Sequence, residues 1–152
     1  MHARSSAINS YGRIANAEAD PLQQIVMLYD GAIKFLRMAA ASIESRDIAA
    51  KAEQTDRALQ IINYLQSILD LERGGDVSVS LNALYTSVTL VILKASAKLD
   101  AAEMRRAADL LSPIREAWAT NARLAVAEAD PSPALLSRTQ GTTQARQIAF
   151  TS

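Results

Sequence analysis

The sequence predicts an all-α protein: an antiparallel four-helix bundle over residues 20–129, with a flexible N-terminal segment at 1–19 and a disordered C-terminal tail at 130–152. Three observations carry that prediction. Apolar residues recur at helical spacing in four successive stretches, the links between them are short, and the one β-branched run, Val88 to Ile92, sits inside a pattern too long for a strand. Helices joined by short links bury their apolar faces most simply as antiparallel neighbours. A chain of 152 residues is long enough to hide roughly two-thirds of the surface of its unfolded form. Its core needs no staple.

The first helix has the best-marked start. Asp20 is an N-cap whose carboxylate can accept from free amides of the first turn, and Pro21 suits the first helical position. From there run Leu22, Ile25, Val26, Tyr29, Ala32, Ile33, Leu36, Ala40 and Ile43 on one side. Met27, Leu28, Phe35 and Met38 fall off that stripe, so this helix needs two partners, or one partner and a ligand. Gly31 in its interior implies close approach of another backbone, with a bundle helix favoured over a bound chain.

After the polar link Ser42 to Asp47, a second stripe holds Ile48, Ala52, Thr55, Leu59, Ile62, Gln66 and Leu69. Gly74-Gly75 is read as its stop, because glycine takes the left-handed conformation that ends helices, and Asp76 or Ser78 as the next cap. The third stripe is Leu81, Leu84, Tyr85, Val88, Ile92, Ala95 and Leu99. Val79, Leu90, Val91 and Leu93 lie elsewhere on its circumference, which makes this helix central in the fold or covered by something. Asp100 starts the fourth helix, with Met104, Ala107, Leu111, Ile114 and Trp118 on one face. Pro113 predicts a kink near Ser112, or a fresh start with Ser112 as cap. Asp130-Pro131-Ser132-Pro133 ends the helical pattern.

Composition removes several function classes. With no cysteine there is no disulfide, thiol nucleophile or thiolate metal site, which fits a reducing compartment. The single histidine, His2, lies in the N-terminal segment and excludes a histidine-based metal site or triad in the bundle. Acidic and basic residues balance at 16 each, and the arginines are interleaved with acids without an aromatic platform, which argues against nucleic acid. Carboxylates such as Glu53 and Glu103 sit among arginines, as on a solvated face. The N-terminus has no apolar stretch of signal-peptide type and the longest apolar run is far short of a span of about 20 residues, so neither secretion nor membrane insertion is expected. The expected location is the cytosol, with no enzyme activity, metal or cofactor.

Tyr11, Asp20-Pro21-Leu22, Met27-Leu28-Tyr29-Asp30-Gly31-Ala32-Ile33, Leu65 with Leu69-Asp70, Gly74-Gly75, Leu81 with Leu84-Tyr85, and Ile114-Arg115-Glu116-Ala117-Trp118 follow one another along the chain. In order and spacing this set resembles the flagellar secretion chaperone family (FliS), over roughly Ile8 to Trp118. Leu90-Val91 and Ala95-Ser96 depart from the basic residues and the Ala-Asn pair usual in that family. The resemblance implies a cytoplasmic helical bundle that binds the disordered C-terminal region of flagellin, blocks premature filament assembly and assists delivery to a component of the flagellar type III export gate.

Read with the surplus apolar residues, the resemblance nominates a flagellin-binding groove made from Leu28, Tyr29, Phe35, Tyr85, Leu90, Leu93 and Trp118. For any one of these, packing in the core is the commoner role. Ile8 and Tyr11 form an isolated apolar pair, and the family's Tyr-bearing N-terminal segment implies a lid that lies over the groove until flagellin arrives. A frayed tail is the plainer reading of the same two residues. The alternative function is structural: the surplus faces are covered by self-association into a homodimer or larger bundle. A small helical enzyme is the weakest of the three readings.

Overall fold

Pro21 opens the first of four helices: α1 Pro21–Glu44, α2 Ile48–Ser67, α3 Gly75–Lys98 and α4 Ala101–Ala129. The computed structural model of the chain describes residues 21–129; the expectations for the Asp20 cap, the Ile8 and Tyr11 lid and the tail fall outside that range. The architecture is the all-α four-helix bundle. α1 lies against α2 and α4, and α3 lies against the same two. The helices therefore stand in ring order, with α1 and α3 on one diagonal.

The core fills the space between all four, with Leu36, Ile62, Val88, Ile92, Met104 and Leu111 fully buried. The two flanks of α1 explain its broad apolar surface. Leu28 and Phe35, off the main stripe, are buried too. Phe35 also carries the Arg57 guanidinium of α2 at 5.7 Å from its ring centroid, and Ser42 Oγ donates to Gln54 of α2 at 2.8 Å. Gly31 is buried one turn before Phe35 on the flank that meets α2. On the other flank Arg115 of α4 donates to both carboxylate oxygens of Asp30, at 2.7 and 3.3 Å.

The turns at one end of the bundle are built alike. After α1, the Asp47 amide reaches back to Ser42 O at 2.9 Å and the Arg46 amide to Ile43 O at 3.1 Å. After α3, the Asp100 amide bonds Ala95 O at 2.9 Å and the Leu99 amide Ser96 O at 3.4 Å. Each is a Schellman closure around one left-handed residue, Arg46 at φ 59° and Leu99 at φ 54°. The next residue caps the following helix: Asp47 accepts from the Ala50 amide and Asp100 from the Glu103 amide, both at 3.1 Å.

The α2–α3 connection differs from the expectation. α2 ends at Ser67, ahead of the glycines. The last turn tightens, with the Leu69 amide on Gln66 O at 3.3 Å and Ser67 Oγ on Tyr64 O at 2.7 Å, and Asp70 then starts a separate turn: its side chain accepts from the Arg73 amide at 3.1 Å and its carbonyl from the Gly74 amide at 2.8 Å. A local turn thus outcompetes continuation of the helix. The glycines open α3 instead, with Gly74 at the cap position and Gly75 at φ +59°. Asp76 is no cap either and falls in the first turn, where its charge suits the helix dipole.

Pro113 does not divide the last helix, which runs unbroken from Ala101 to Ala129. Ser112, expected as a cap, donates its hydroxyl back to Ala108 O at 3.1 Å. Pro113 and Asp109 are both exposed, so water can meet the Asp109 carbonyl that lacks its amide partner.

Candidate protein-binding face

α3 carries two apolar rows. Leu81, Tyr85, Val88, Ile92 and Ala95, at alternating steps of four and three, are buried and face the core. A second row has the same rhythm: Val79, Ala83, Thr86, Leu90, Leu93 and Ala97. All six are exposed and none is charged. Val79 is 58%, Leu90 53% and Leu93 49% exposed, values that mark an unpartnered stripe on a helix whose opposite side is already used. α3 is long and apolar enough by length and composition to cross a membrane, yet only 28% of its most apolar window is buried. Its buried row ties it into the bundle, and the apolar surplus is the outer row.

Polar ties fix the outer row against α2. The Gln66 side-chain amide donates to Asn82 Oδ1 at 2.8 Å and to Thr86 Oγ1 at 3.0 Å. Towards the other end of the helix, Lys51 Nζ donates to Ser96 Oγ at 3.1 Å and to Ser96 O at 3.3 Å. These bonds hold α3 in register, so the outer row is presented by a rigid element.

Beneath it, Tyr85 meets Tyr29 of α1 across the diagonal of the bundle. The phenol oxygens are 2.6 Å apart and the rings are tilted by 52° with centroids 6.3 Å apart. Burial pushes the Tyr29 phenol up, opposed by hydrogen bonds from Tyr85 and Trp118. Burial, and then its bond to Tyr29, pushes the Tyr85 phenol up as well. Trp118 is half-buried and packs against both the main core and a smaller cluster of Val26, Ala119 and Ala122. Hydrogen bonds to Asp30 and Glu116 raise the Arg115 guanidinium further above its usual range.

The seven groove candidates are thus divided. Leu28, Tyr29, Phe35 and Tyr85 lie in the core, Trp118 lies at its edge, and Leu90 and Leu93 stand on the surface. The outer row joins the last two to Val79, which the sequence also sets apart with them, and to Ala83, Thr86 and Ala97, which the sequence reading did not group with them. The signal was available as the four-three rhythm from residue 79 onward, but two small residues and a threonine in it masked the stripe. The Thr86 hydroxyl, which accepts from Gln66, is the one polar side chain of the row. The face can bind an apolar helix by shape. Two pairs of charges elsewhere, Glu53 with Arg57 and Glu103 with Arg106, are exposed ion pairs.

Comparison with known proteins adds an independent line. The family model described as "Flagellar protein FliS" matches residues 4–125. A flagellar secretion chaperone FliS from Salmonella typhimurium is 37% identical over 119 residues, 75% of this chain and 88% of the relative. Relatives of the same name from Vibrio cholerae and Bacillus subtilis are 33% and 32% identical over 100 residues each, 66% of this chain and 74% of theirs.

Proposed function

The chain belongs to the FliS family of flagellar proteins, and from that membership we propose that it is a cytosolic export chaperone for flagellin, with the outer row of α3 as its main client surface. It holds the C-terminal region of flagellin, prevents premature polymerisation, and assists delivery to a component of the flagellar type III export gate. The observation that carries this reading is the uncharged, exposed row from Val79 to Ala97. Eighteen residue steps of helix give that row a length of about 27 Å, enough for about five turns of a client helix. The large side chains act as knobs, while Ala83 and Ala97 leave room for a second helix to come close.

Each large client side chain that is fully buried contributes roughly 1.5 to 3 kcal/mol, part of which is offset by ordering the client. Several anchors are therefore needed, and the row supplies positions for several. The buried Tyr29 and Tyr85 pair, with the half-buried Trp118 beside it, stiffens the floor under the row and does not itself need to touch the client. Ile8 and Tyr11 serve as a lid over the row when no client is present.

The test is calorimetric titration of a flagellin C-terminal peptide into wild type and the Leu90→Asp/Leu93→Asp variant. The expected result is affinity at least tenfold weaker, about 1.4 kcal/mol, with an unchanged far-UV spectrum. Equal affinity would remove the row from the client site. A second reading, self-association through the same row, is favoured by its strict heptad rhythm. Light scattering with and without the peptide separates the two: a homodimer that the peptide does not dissociate supports self-association.

A further inference from the structure

The two similar turns leave a cleft of about 630 Å³ between them at one end of the bundle, lined by Ile43, Glu44, Arg46, Ile48, Leu99 and Ala101. We propose that this cleft is a second docking site, separate from the outer row of α3, and that it takes an acidic polypeptide segment of a partner protein with one or two apolar side chains beside a carboxylate.

The backbone gives the first argument. A left-handed residue after a helix is most often glycine, since a side chain there is strained. Within the described residues the same backbone conformation occurs three times. At the far end of the molecule it is taken by Gly75 at φ +59°, with nothing within 4 Å of where a Cβ would be. At the cleft it is taken by Arg46 and Leu99, which bear side chains despite φ values of 59° and 54°. Both of those side chains line the cleft. Leu99 is 47% exposed, as is Ile48 across from it. Two strained positions thus set a cation and a large apolar group around one cavity.

Charge gives the second argument and selects the occupant. Of the two charged residues that line the cleft, Glu44 is held by the fork of Arg105, one arm of which donates at 3.1 Å, while the nearby Asp47 and Asp100 accept from the amides they cap. Arg105 in turn holds the Glu44 carboxyl below its usual range. No ion pair or side-chain hydrogen bond engages the Arg46 guanidinium among the described residues. The cleft therefore presents apolar walls under an open positive charge, which fits an apolar side chain flanked by Asp or Glu.

The chain's own remaining segments have the wrong charge or the wrong position. Residues 130–152 hold Arg138 and Arg146 against Asp130 alone, and the acids of residues 1–20, Glu18 and Asp20, immediately precede Pro21, the end of α1 opposite the cleft. Because the cleft is at the end and the outer row runs along the side, both can be filled at once.

The experiment is a ¹⁵N–¹H NMR titration of the full chain with three blocked peptides: Asp-Glu-Leu-Leu-Asp, Lys-Lys-Leu-Leu-Lys and Asp-Glu-Ala-Ala-Asp. The proposal expects shifts confined to amides 43–48 and 98–102 with the first peptide, and affinity at least tenfold weaker with the other two. Arg46→Glu should weaken the first peptide tenfold or more. Leu99→Gly should do the same while leaving thermal stability equal or higher, since glycine relieves the backbone; a purely structural Leu99 would not separate these readouts. Leu90→Asp should leave this binding unchanged, whatever it does to flagellin. No binding, equal binding of the acidic and basic peptides, or shifts centred on α3 would overturn the proposal.

Discussion

Tyr29 Oη and Tyr85 Oη are 2.6 Å apart at the centre of the bundle, on helices that share no flank, and this bond is the one side-chain hydrogen bond described between α1 and α3. Both residues are essentially inaccessible to water. The pair fixes the diagonal of a bundle whose other contacts run between ring neighbours. It also sets the height of α3 relative to α1, and with it the presentation of the outer row.

Replacing one of these tyrosines by phenylalanine leaves the other hydroxyl without its partner, so Tyr29→Phe or Tyr85→Phe should each destabilise the protein by roughly 1 to 3 kcal/mol. The double replacement removes both polar groups at once and should be milder than the sum of the two. A double-mutant cycle in urea checks this, and strict additivity would mean that the bond contributes nothing.

The same pair predicts alkaline sensitivity. Both phenols are raised in the folded state from the ordinary value of 10.0, so the folded protein holds protons that the unfolded chain releases. The associated stability is complete below pH 10 and is lost as pH rises beyond it. Thermal midpoints should fall above about pH 10, and phenolate absorbance for these two residues should appear only together with unfolding. In Tyr29→Phe/Tyr85→Phe the alkaline decline should be shallower.

Gly74 has no room for a side chain. A Cβ there would lie 2.6 Å from the Asp70 carbonyl oxygen and 1.7 Å from Ser78 Oγ. Gly74→Ala should therefore lower stability by about 1 to 3 kcal/mol through displacement of the α2–α3 turn. An unchanged melting temperature would show that the turn shifts freely.

Ile92 and Leu93 are neighbours in sequence with opposite fates. Ile92 is fully buried and Leu93 is 49% exposed. Ile92→Ala should cost about 2 to 5 kcal/mol, as cavity-forming changes do, while Leu93→Ala should stay within about 0.5 kcal/mol. Chemical denaturation of the two variants decides, and comparable losses would mean that the outer row is packed within the protein.

Much of this architecture was legible in the chain. Helical recurrence of Leu22 through Ile43, Leu81 through Leu99 and Met104 through Trp118 gave the helices, and Asp47 and Asp100 stand where caps are needed. Local competition was harder to read: α2 closes at Ser67 and Asp70 starts a new turn by capturing the Arg73 amide, and Pro113 is accommodated in a continuous helix where the carbonyl without a partner belongs to the exposed Asp109. What periodicity could not assign was whether Val79, Leu90 and Leu93, off the inward row of α3, are covered or left bare. That choice is made by neighbours remote in sequence, since Tyr29 takes Tyr85 from one row and no helix among the described residues covers Leu90 and Leu93 in the other. The same holds for the cleft at the bundle end. Two turns can each be recognised locally, but the cavity between Arg46 and Leu99 exists only because packing brings them together, and burial and charge at a site are properties of that assembled environment rather than of any segment.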